Sequence, residues 1–515
     1  MAGVRAEPRD RYGLLLALAV TVAVWWSALP TWFTADDIVS LYRAAHLEPT
    51  PLLFRPLSAL IAWRLEYALF GLSPLGYHVV AFLLHCLNVL GVYAIAARLG
   101  ADHGVATAAA LLFGASGIAF TVLHAASSLG DLLALLLVLT ATRVHLAARD
   151  RAHPGGLWLA SALGLLAVLA KESALAWPLV IVAAELLVLV PPAQAMTGAA
   201  TSRTQLVLPA LVAGLLGAIW TLATMNSGGM SARGAYELSL SPADLLANLS
   251  TYLRWIAQIG VPLRDWIAAP DRAAIPAGLL VLALLAAAWR LATDRQRQVR
   301  TGVVWLMGFL LPVLPLLHHS YLYYLYLPWA GGACTVAGAL SSITHRFARA
   351  GIYVAVLLIA GFVIAEAAGV RARERLTVAG LPADRTMRDA ELLQHAISAL
   401  RGEHLPDGVT VGFVNPIPAR DVSLIPGDER AAAGEDIRPY RPLQSLMLDG
   451  KTLRLFFPTW KYAGFSDTIP KGWENVECFL FEQRGFLRRW GKGAEALGMQ
   501  QEWMREHEPG GSPAR

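Results

Sequence analysis

Charged residues are scarce in this sequence of 515 residues, because Asp, Glu, Lys and Arg together make up only 15% of it. Soluble globular proteins carry about 25% charged residues, whereas 56% of this chain is hydrophobic. The composition excludes a disordered chain and disfavours a purely soluble enzyme. The hydrophobic residues also occur in blocks about as long as a membrane crossing, which indicates a polytopic membrane protein.

Cysteine is nearly absent as well, with three residues in the whole chain. Cys86 and Cys334 lie inside hydrophobic blocks and Cys478 lies far downstream, a spacing that fits neither a disulfide framework nor a zinc site. No basic tract suited to nucleic acid accompanies the formal net charge of +5. The residues therefore imply no cofactor and no nucleic-acid partner, and they leave a divalent metal open.

Lysine is the scarcest basic residue, since only five of the 42 basic residues are lysines. Four of them lie beyond residue 450, so Lys171 is the only lysine in the first 450 residues. Any long cation can snorkel to a membrane surface from a helix end. A single lysine among arginines therefore favours a specific role for Lys171.

Eleven hydrophobic segments are candidate membrane spans, and basic residues orient them because cytoplasmic loops are enriched in Lys and Arg. With the N-terminus in the cytoplasm, the cytoplasmic connections hold fourteen basic residues and the longer outer connections hold eight. The richness in Arg and Ala is typical of a GC-rich bacterial genome, so we expect a multi-pass protein of the bacterial inner membrane. The spans are predicted at about 13–30, 76–98, 104–122, 128–147, 156–170, 174–192, 205–225, 275–292, 301–317, 322–343 and 350–369.

One further segment, residues 52–71, is hydrophobic but contains Arg55 and Glu66. As a span it would reverse the orientation of everything downstream. We therefore interpret it as an amphipathic helix in the outer interface. External loops are then predicted at 31–75 and 226–274.

The composition changes after residue 369, because residues 370–515 hold 20 basic and 20 acidic residues. This balance predicts a soluble domain, which span parity places outside the cytoplasm. About 145 residues suffice for one small α/β domain. The predicted fold is a polytopic α-helical membrane domain over 1–369, followed by this domain, with a helix at 383–402 and strands at 408–414, 452–457 and 476–481.

Two pairs of adjacent residues are candidates for chemistry at the outer surface. Asp36 and Asp37 follow the first span, where carboxylates can act as a general base or a metal ligand, or cap the helix that begins there. Lys171 and Glu172 lie between two hydrophobic helices, where they need water, a partner or a ligand. The alternative is a snorkelling lysine beside a helix cap.

The remaining candidates also fall at the outer ends of the spans. His318 and His319 can bind a phosphate or a sugar or belong to the aromatic belt of a membrane protein, and that belt is the better explanation for Tyr321. Arg55 can pair with an anionic head group or snorkel, and Asp131 is either a helix cap or a supporting acid. Under the predicted orientation all of these side chains share one face of the membrane.

Residues 54–99, FRPLSALIAWRLEYALFGLSPLGYHVVAFLLHCLNVLGVYAIAARL, resemble a stretch of the GT-C membrane glycosyltransferases. The branch they resemble contains the bacterial relatives of protein O-mannosyltransferases and the tetratricopeptide-repeat O-mannosyltransferases, without the repeats. Further similar segments follow in the same order over most of residues 30–345, namely Asp36-Asp37, GDLLALLLVLTA (130–141), LAKESALAWP (169–178) and YLYLPWAG (324–331).

The resemblance implies a GT-C fold and a polyprenyl-phosphate-linked sugar as donor, consumed at the extracytoplasmic face with a protein, lipid or glycan as acceptor. It makes Asp36 the catalytic base or the residue that orients the acceptor, with Asp37 as the second choice. It places Lys171 at the lipid phosphate. Further donor contacts would come from Arg55, His318 and His319, with Glu172, Asp131 and Tyr321 in support.

The sequence departs from that family at one place. The relatives carry a His-Pro and a downstream Glu before the GDLL-like segment, and residues 114–131 contain neither. The missing acid leaves a non-catalytic assembly partner as an alternative. A transporter or flippase for a lipid-linked glycan is another alternative, but it predicts internal repeats that the sequence does not show.

Overall fold

The computed structural model describes residues 8–47, 55–189, 202–227, 237–258, 260, 266–267, 269–293, 296–378, 381–414, 446–481 and 487–506. Helices dominate these residues up to Arg375, and a short π-helix over Pro56–Ala62 precedes α3. The helices of this part are α1 (Pro8–Trp25), α2 (Ala35–His46), α3 (Trp63–Phe70), α4 (Pro74–Arg98), α5 (His103–Gly114), α6 (Phe120–His124), α7 (Leu129–Asp150), α8 (Pro154–Ala170), α9 (Trp177–Leu187), α10 (Arg203–Ser227), α11 (Pro242–Ala257), α12 (Ile275–Leu291), α13 (Arg297–Leu310) and α14 (Tyr326–Arg375).

The helices of this first part are those of a membrane protein. Among the described residues, five helices are long and hydrophobic enough to cross a bilayer, or six if the bent pair of α5 and residues 117–124 forms one span. Only 11% of the hydrophobic window on α12 is buried, and its Leu280 and Leu284 are more than half exposed. Such surfaces are stable only against lipid or another hydrophobic partner. The full count of eleven spans stays a prediction.

The longest helix, α14, folds back on itself. A straight helix of 50 residues would extend over about 75 Å. Trp329 and Glu366 nevertheless line the same small cavity, although a straight helix would hold them about 55 Å apart. The chain therefore reverses direction between them and forms two antiparallel arms. The spans predicted at 322–343 and 350–369 fall one on each arm.

The residues after α14 form a four-stranded sheet covered by helices. Strand β5 (Thr410–Val414) pairs in parallel with β6 (Lys461–Ser466) and with β7 (Glu477–Phe481). Strand β8 (Leu487–Lys492) pairs with β7 in the antiparallel direction, which gives the order β6-β5-β7-β8. The helix predicted over 383–402 and the strands predicted at 408–414 and 476–481 are present. The elements are β3 (Thr377–Val378), β4 (Leu381–Pro382), α15 (Arg385–Gly402), β5 (Thr410–Val414), α16 (Lys451–Phe456), β6 (Lys461–Ser466), β7 (Glu477–Phe481), β8 (Leu487–Lys492) and α17 (Gly493–Glu506), after the short pair β1 (Trp266–Ile267) and β2 (Ser320–Tyr321) of the membrane part.

The strand predicted at 452–457 is wrong, because these residues form helix α16. The helix follows Gly450, which has a left-handed backbone, and it buries Thr452, Leu453 and Leu455 while Arg454 stays exposed. Alternating side chains in a run of six residues suit either a strand or one and a half turns of helix. The helix forms here because it packs the buried side chains of α16 against α2.

One hydrophobic core joins the C-terminal sheet to the loop predicted at 31–75. Phe33, Ile38 and Leu41 of that loop lie in the same buried cluster as Leu392 of α15 and Phe413 of β5. The stacked rings of Trp32 and Phe456, 5.3 Å apart, extend this contact. Helix α2 is therefore fixed against the C-terminal elements as well as against the membrane helices.

The loop predicted at 226–274 contacts the segment that follows α13. Asn248 of α11 donates to the carbonyl oxygens of Leu314 and Leu316, and β1 pairs with β2. Of the segment predicted as an interfacial helix, residues 52–54 lie outside the described residues, and the rest forms the π-helix and α3.

Candidate functional site

A cavity of about 510 Å³ lies where these elements meet. Its walls come from α2, the π-helix, the start of α7, the end of α8, the region of β2 and the first turn of α15. Six of the nine residues predicted from the sequence line it: Asp36, Arg55, Asp131, Lys171, His319 and Tyr321. The structure thus brings together residues that are up to 285 positions apart in the sequence.

Lys171 and Asp131 form a buried ion pair in one wall, with 2.9 Å between Nζ and Oδ2. Lys171 follows the last residue of α8, and Asp131 lies in the first turn of α7. Each charge therefore interacts favourably with the dipole of its own helix, a cation at the C-terminus and an anion at the N-terminus. The ammonium also lies 5.6 Å from the ring centre of Tyr323. This pairing, rather than snorkelling, explains how Lys171 is accommodated at 5% exposure.

Gly130 allows the two helix ends to approach. A Cβ atom at this position would lie 2.9 Å from the carbonyl oxygen of Ala170 and 3.1 Å from Oγ of Ser58. Ser58 in turn donates to the Ala170 carbonyl over 2.7 Å, which links the π-helix to the end of α8. Gly130 therefore occupies the position before Asp131 because a larger side chain would push the ends of α7 and α8 apart.

Arg55 and Glu172 form a second ion pair beside the first. The guanidinium donates from Nε and Nη2 to the two carboxylate oxygens over 2.7 and 2.5 Å. Burial alone would raise the pKa of Glu172, but the Arg55 charge and hydrogen bonds, aided by Lys171, lower that pKa to about 2. Arg55 has a left-handed backbone with φ of 49°, a strained conformation for a residue other than glycine, which the bidentate contact helps to hold.

The two adjacent aspartates differ completely in environment. Asp37 is fully buried, and its carboxylate accepts hydrogen bonds from the backbone N–H groups of Thr34 and Ser127 over 2.7 and 2.5 Å. It closes a capping box at the start of α2. The carboxylate of Asp36 lines the cavity and makes no hydrogen bond or ion pair with the described residues. The geometry gives Asp37 a structural role and leaves the Asp36 carboxylate available to a molecule in the cavity.

The two histidines also separate. His319 lines the cavity, and burial together with the charges of Lys171 and Arg55 lowers its pKa to about 4. It is therefore neutral at pH 7 and can offer a hydrogen bond but no charge. His318 lies outside the lining, with its Nε2 3.7 Å from Glu237. Tyr321 stacks on Trp266 at the cavity edge.

A second carboxyl group lies behind the cavity beside Asp37. Glu66 of α3 is only 6% exposed, and its burial together with the charge of Asp37 raises its pKa to about 8. Burial also raises the pKa of Asp37, to about 6, against the effect of its hydrogen bonds. Because both values lie above the ordinary ones, each group stabilises the fold when protonated, and this contribution is lost as the pH rises through the folded-state pKa.

Replacing Glu66 with Gln should flatten the dependence of stability on alkaline pH. With a pKa of about 8, the wild-type protein should lose roughly 1 kcal/mol between pH 7 and 9, or about 1 °C in apparent melting temperature. The E66Q variant should lose less over the same range. Fluorescence-monitored unfolding in detergent measures the slope, with the exposed Glu502→Gln as control. Equal slopes in wild type and E66Q would contradict the buried-carboxyl interpretation.

The site also contains residues that the sequence reasoning missed. Arg43 lines the cavity from the last turn of α2, in register with Asp36 on the same helix face. The regular spacing of these residues was the available signal. The wall formed by residues 383–389 of the C-terminal part had no such signal, because only the tertiary fold brings it to the membrane domain.

A buried ion pair positions that wall. Arg373, near the end of α14, donates from Nε to Asp384 over 2.8 Å, and its guanidinium lies 4.3 Å from the ring centre of Phe120. Asp384 also caps α15 by accepting from the N–H of Met387. The first turn of α15 is thus fastened to the membrane helices at the cavity.

The described residues contain no group of three or more His, Cys, Asp or Glu side chains arranged to hold a metal ion. The carboxylates at the cavity are instead distributed over separate contacts, Asp131 to Lys171 and Asp384 to Arg373.

No family model matches this chain, and no curated protein matches it. Among solved structures it is similar to the Archaeoglobus fulgidus oligosaccharyltransferase tethered with an acceptor peptide containing the NVT sequon, at 14% identity and a TM-score of 0.45, covering 79% of this chain and 62% of that one. It is also similar to ArnT from Cupriavidus metallidurans bound to undecaprenyl phosphate, at 13% identity and a TM-score of 0.44, covering 90% and 92%. The chain thus spans less than two thirds of the oligosaccharyltransferase. Neither structure is an O-mannosyltransferase, and these values assign the chain to no family.

Proposed function

We propose that this protein is a membrane glycosyltransferase of the GT-C type, which transfers a sugar from a polyprenyl-phosphate donor to an acceptor at the extracytoplasmic face. The observation that carries the proposal is the cavity itself. It presents the carboxylate of Asp36, which has no ion-pair partner among the described residues, together with the anchored cations Lys171 and Arg55. A base and a pair of fixed cations around one space suit the transfer of a group from a phosphate.

The reaction needs one proton acceptor and stabilisation of one leaving group. The acceptor oxygen attacks the anomeric carbon of the sugar, and the bond between that carbon and the phosphate oxygen breaks with its electron pair on the phosphate. The acceptor proton passes to Asp36. The products are the glycosylated acceptor and the polyprenyl phosphate, whose added charge Lys171 and Arg55 stabilise.

The ion pairs fix the cations before the substrate arrives. Lys171 has three N–H donors and directs one of them to Asp131. Its position is therefore set by a carboxylate that faces the same cavity, and no reorganisation of a flexible side chain is needed during the reaction. Glu172 does the same for Arg55. His319 and Tyr321 complete the donor side as neutral groups.

The N-terminus is proposed to lie in the cytoplasm of a bacterial cell, with the cavity and the C-terminal domain outside. This orientation rests on the arginine distribution. It agrees with the position of the cavity at the ends of α7 and α8 opposite Arg149 and Arg151.

Purified protein in proteoliposomes, supplied with a panel of polyprenyl-phosphate hexoses, should release polyprenyl phosphate with time, as measured by mass spectrometry. Release should require the protein and increase when an acceptor is present. Movement of intact donor between the leaflets without cleavage would indicate the transporter or flippase instead. Neither cleavage nor movement would favour the non-catalytic assembly partner.

A further inference from the structure

Helix α2 presents a regular stripe of residues to the cavity. Asp36, Val39, Ser40 and Arg43 all line it, at the spacing i, i+3, i+4 and i+7 that defines one helix face. Asp36 and Arg43 are seven residues apart, or about 10 Å along the axis. A carboxylate and a guanidinium therefore stand at opposite ends of the same wall.

Several of the other charged side chains at the cavity form ion pairs. Lys171 pairs with Asp131 and Arg55 with Glu172. In the wall formed by residues 383–389, Arg385 lies 3.9 Å from Asp389, and Asp384 binds Arg373.

Arg43 differs from these cations. No carboxylate lies within ion-pair distance of its guanidinium among the residues that the structure describes, although the side chain is half-buried. Its place in the last turn of α2 complements the helix dipole, but the dipole acts equally on any face of the helix. The direction of Arg43 into the cavity needs a further reason.

The cavity wall formed by residues 383–389 also carries basic side chains. Arg388 of α15 lines the cavity and is only 9% exposed, and Arg385 and Thr386 precede it in the first turn of that helix. Arginine is suited to planar oxyanions, because its guanidinium offers parallel N–H donors. Arg43 on α2 and the nearly buried Arg388 on α15 therefore give this cavity two guanidinium groups that suit a negative group.

Resting on the proposed function, we infer that Arg43 binds an oxyanion carried by the acceptor, a phosphate or a carboxylate about 10 Å from the oxygen that Asp36 deprotonates. The group belongs to the acceptor because Arg43 shares its wall with the base. The cations assigned to the donor phosphate stand elsewhere, at the ends of α8 and the π-helix. The acceptor substrate is therefore acidic, and its charge sets the orientation of its nucleophile.

Binding of small probes to the purified full chain tests this inference. Glucose 6-phosphate and glucuronate should bind wild type more tightly than glucose, and R43A should reduce this preference by roughly tenfold or more, since hydrogen bonds to charged groups are strong. R43K should retain part of it. The control is R454A on α16, whose guanidinium lies over Tyr42 on another side of α2, and the preference should be unchanged in it. The two anionic probes distinguish a phosphate site from a carboxylate site.

Two results separate this inference from the proposed function. If wild type binds glucose as tightly as the anionic probes, or if R43A keeps the full preference, the acidic-acceptor inference is wrong even when donor cleavage is observed. If the anionic probes bind through Arg43 but no polyprenyl phosphate is released from any donor, the transferase proposal fails and the anion site stands. Thermal unfolding of R43A shows whether the variant is folded, and R43Q replaces it if it is not.

Discussion

Asp36→Asn is expected to lower sugar transfer by a factor of about 10² to 10⁴, the usual contribution of a general base. Asparagine keeps the shape of the side chain but cannot take the acceptor proton. The carboxylate of Asp36 makes no hydrogen bond or ion pair with the described residues, so the loss should come without a loss of fold. Release of polyprenyl phosphate and the apparent melting temperature, measured on the same preparation, separate the two effects.

The adjacent residue supplies the matched control. In Asp37→Asn, the amide NH₂ would face a backbone N–H that now donates to a carboxylate oxygen, either that of Thr34 or that of Ser127. A buried donor without an acceptor costs about 1–3 kcal/mol, so this variant should melt earlier. If D36N turns over donor like wild type, or if D37N alone loses activity at unchanged stability, the assignment of the base is wrong.

Lys171→Met is expected to abolish donor cleavage and also to destabilise the protein. Removal of the ammonium leaves Asp131 buried without its partner, and breaking a buried ion pair in this way costs about 3–5 kcal/mol. Loss of activity in K171M would therefore have two causes, catalytic and structural. Unfolding measurements on this variant alone cannot separate them.

The double variant K171M/D131N separates them. It removes both charges, so stability should return towards wild type while cleavage of the polyprenyl-phosphate donor stays at background. The single variant D131N completes the double-mutant cycle, because it measures the effect of removing the carboxylate alone. Recovery of cleavage together with stability in the double variant would show that Lys171 only supports the fold, and would overturn its role at the phosphate.

Much of the site could be predicted because the signals were local. Scarcity of lysine singled out Lys171, and the position of hydrophobic blocks placed Asp36, Asp131 and Lys171 at one end of the helices. The lining of a common cavity by these three residues agrees with that placement. A charged residue beside a hydrophobic block carries this information in its immediate neighbourhood.

Other features depend on contacts between distant segments. The buried position of Asp37 depends on Ser127, ninety residues away, so the local residue pattern could not choose between the two aspartates, and only the family resemblance ranked Asp36 first. The neutral state of His319 follows from burial near Lys171 and Arg55, and helix α16 forms because it packs on α2. The cavity wall formed by residues 383–389 could not be predicted either, because only the tertiary fold brings these residues to the membrane helices.

The hydrophobic core shared by α2, its flanking loop and the C-terminal sheet has a practical consequence for engineering. A chimera that exchanges only residues 370–515 would strip Phe33, Ile38 and Leu41 of their packing partners and separate the wall that carries Asp36 from its support. The exchangeable module is discontinuous. It consists of α2 with its flanking loop together with the C-terminal elements, and a graft intended to change acceptor choice has to carry both pieces.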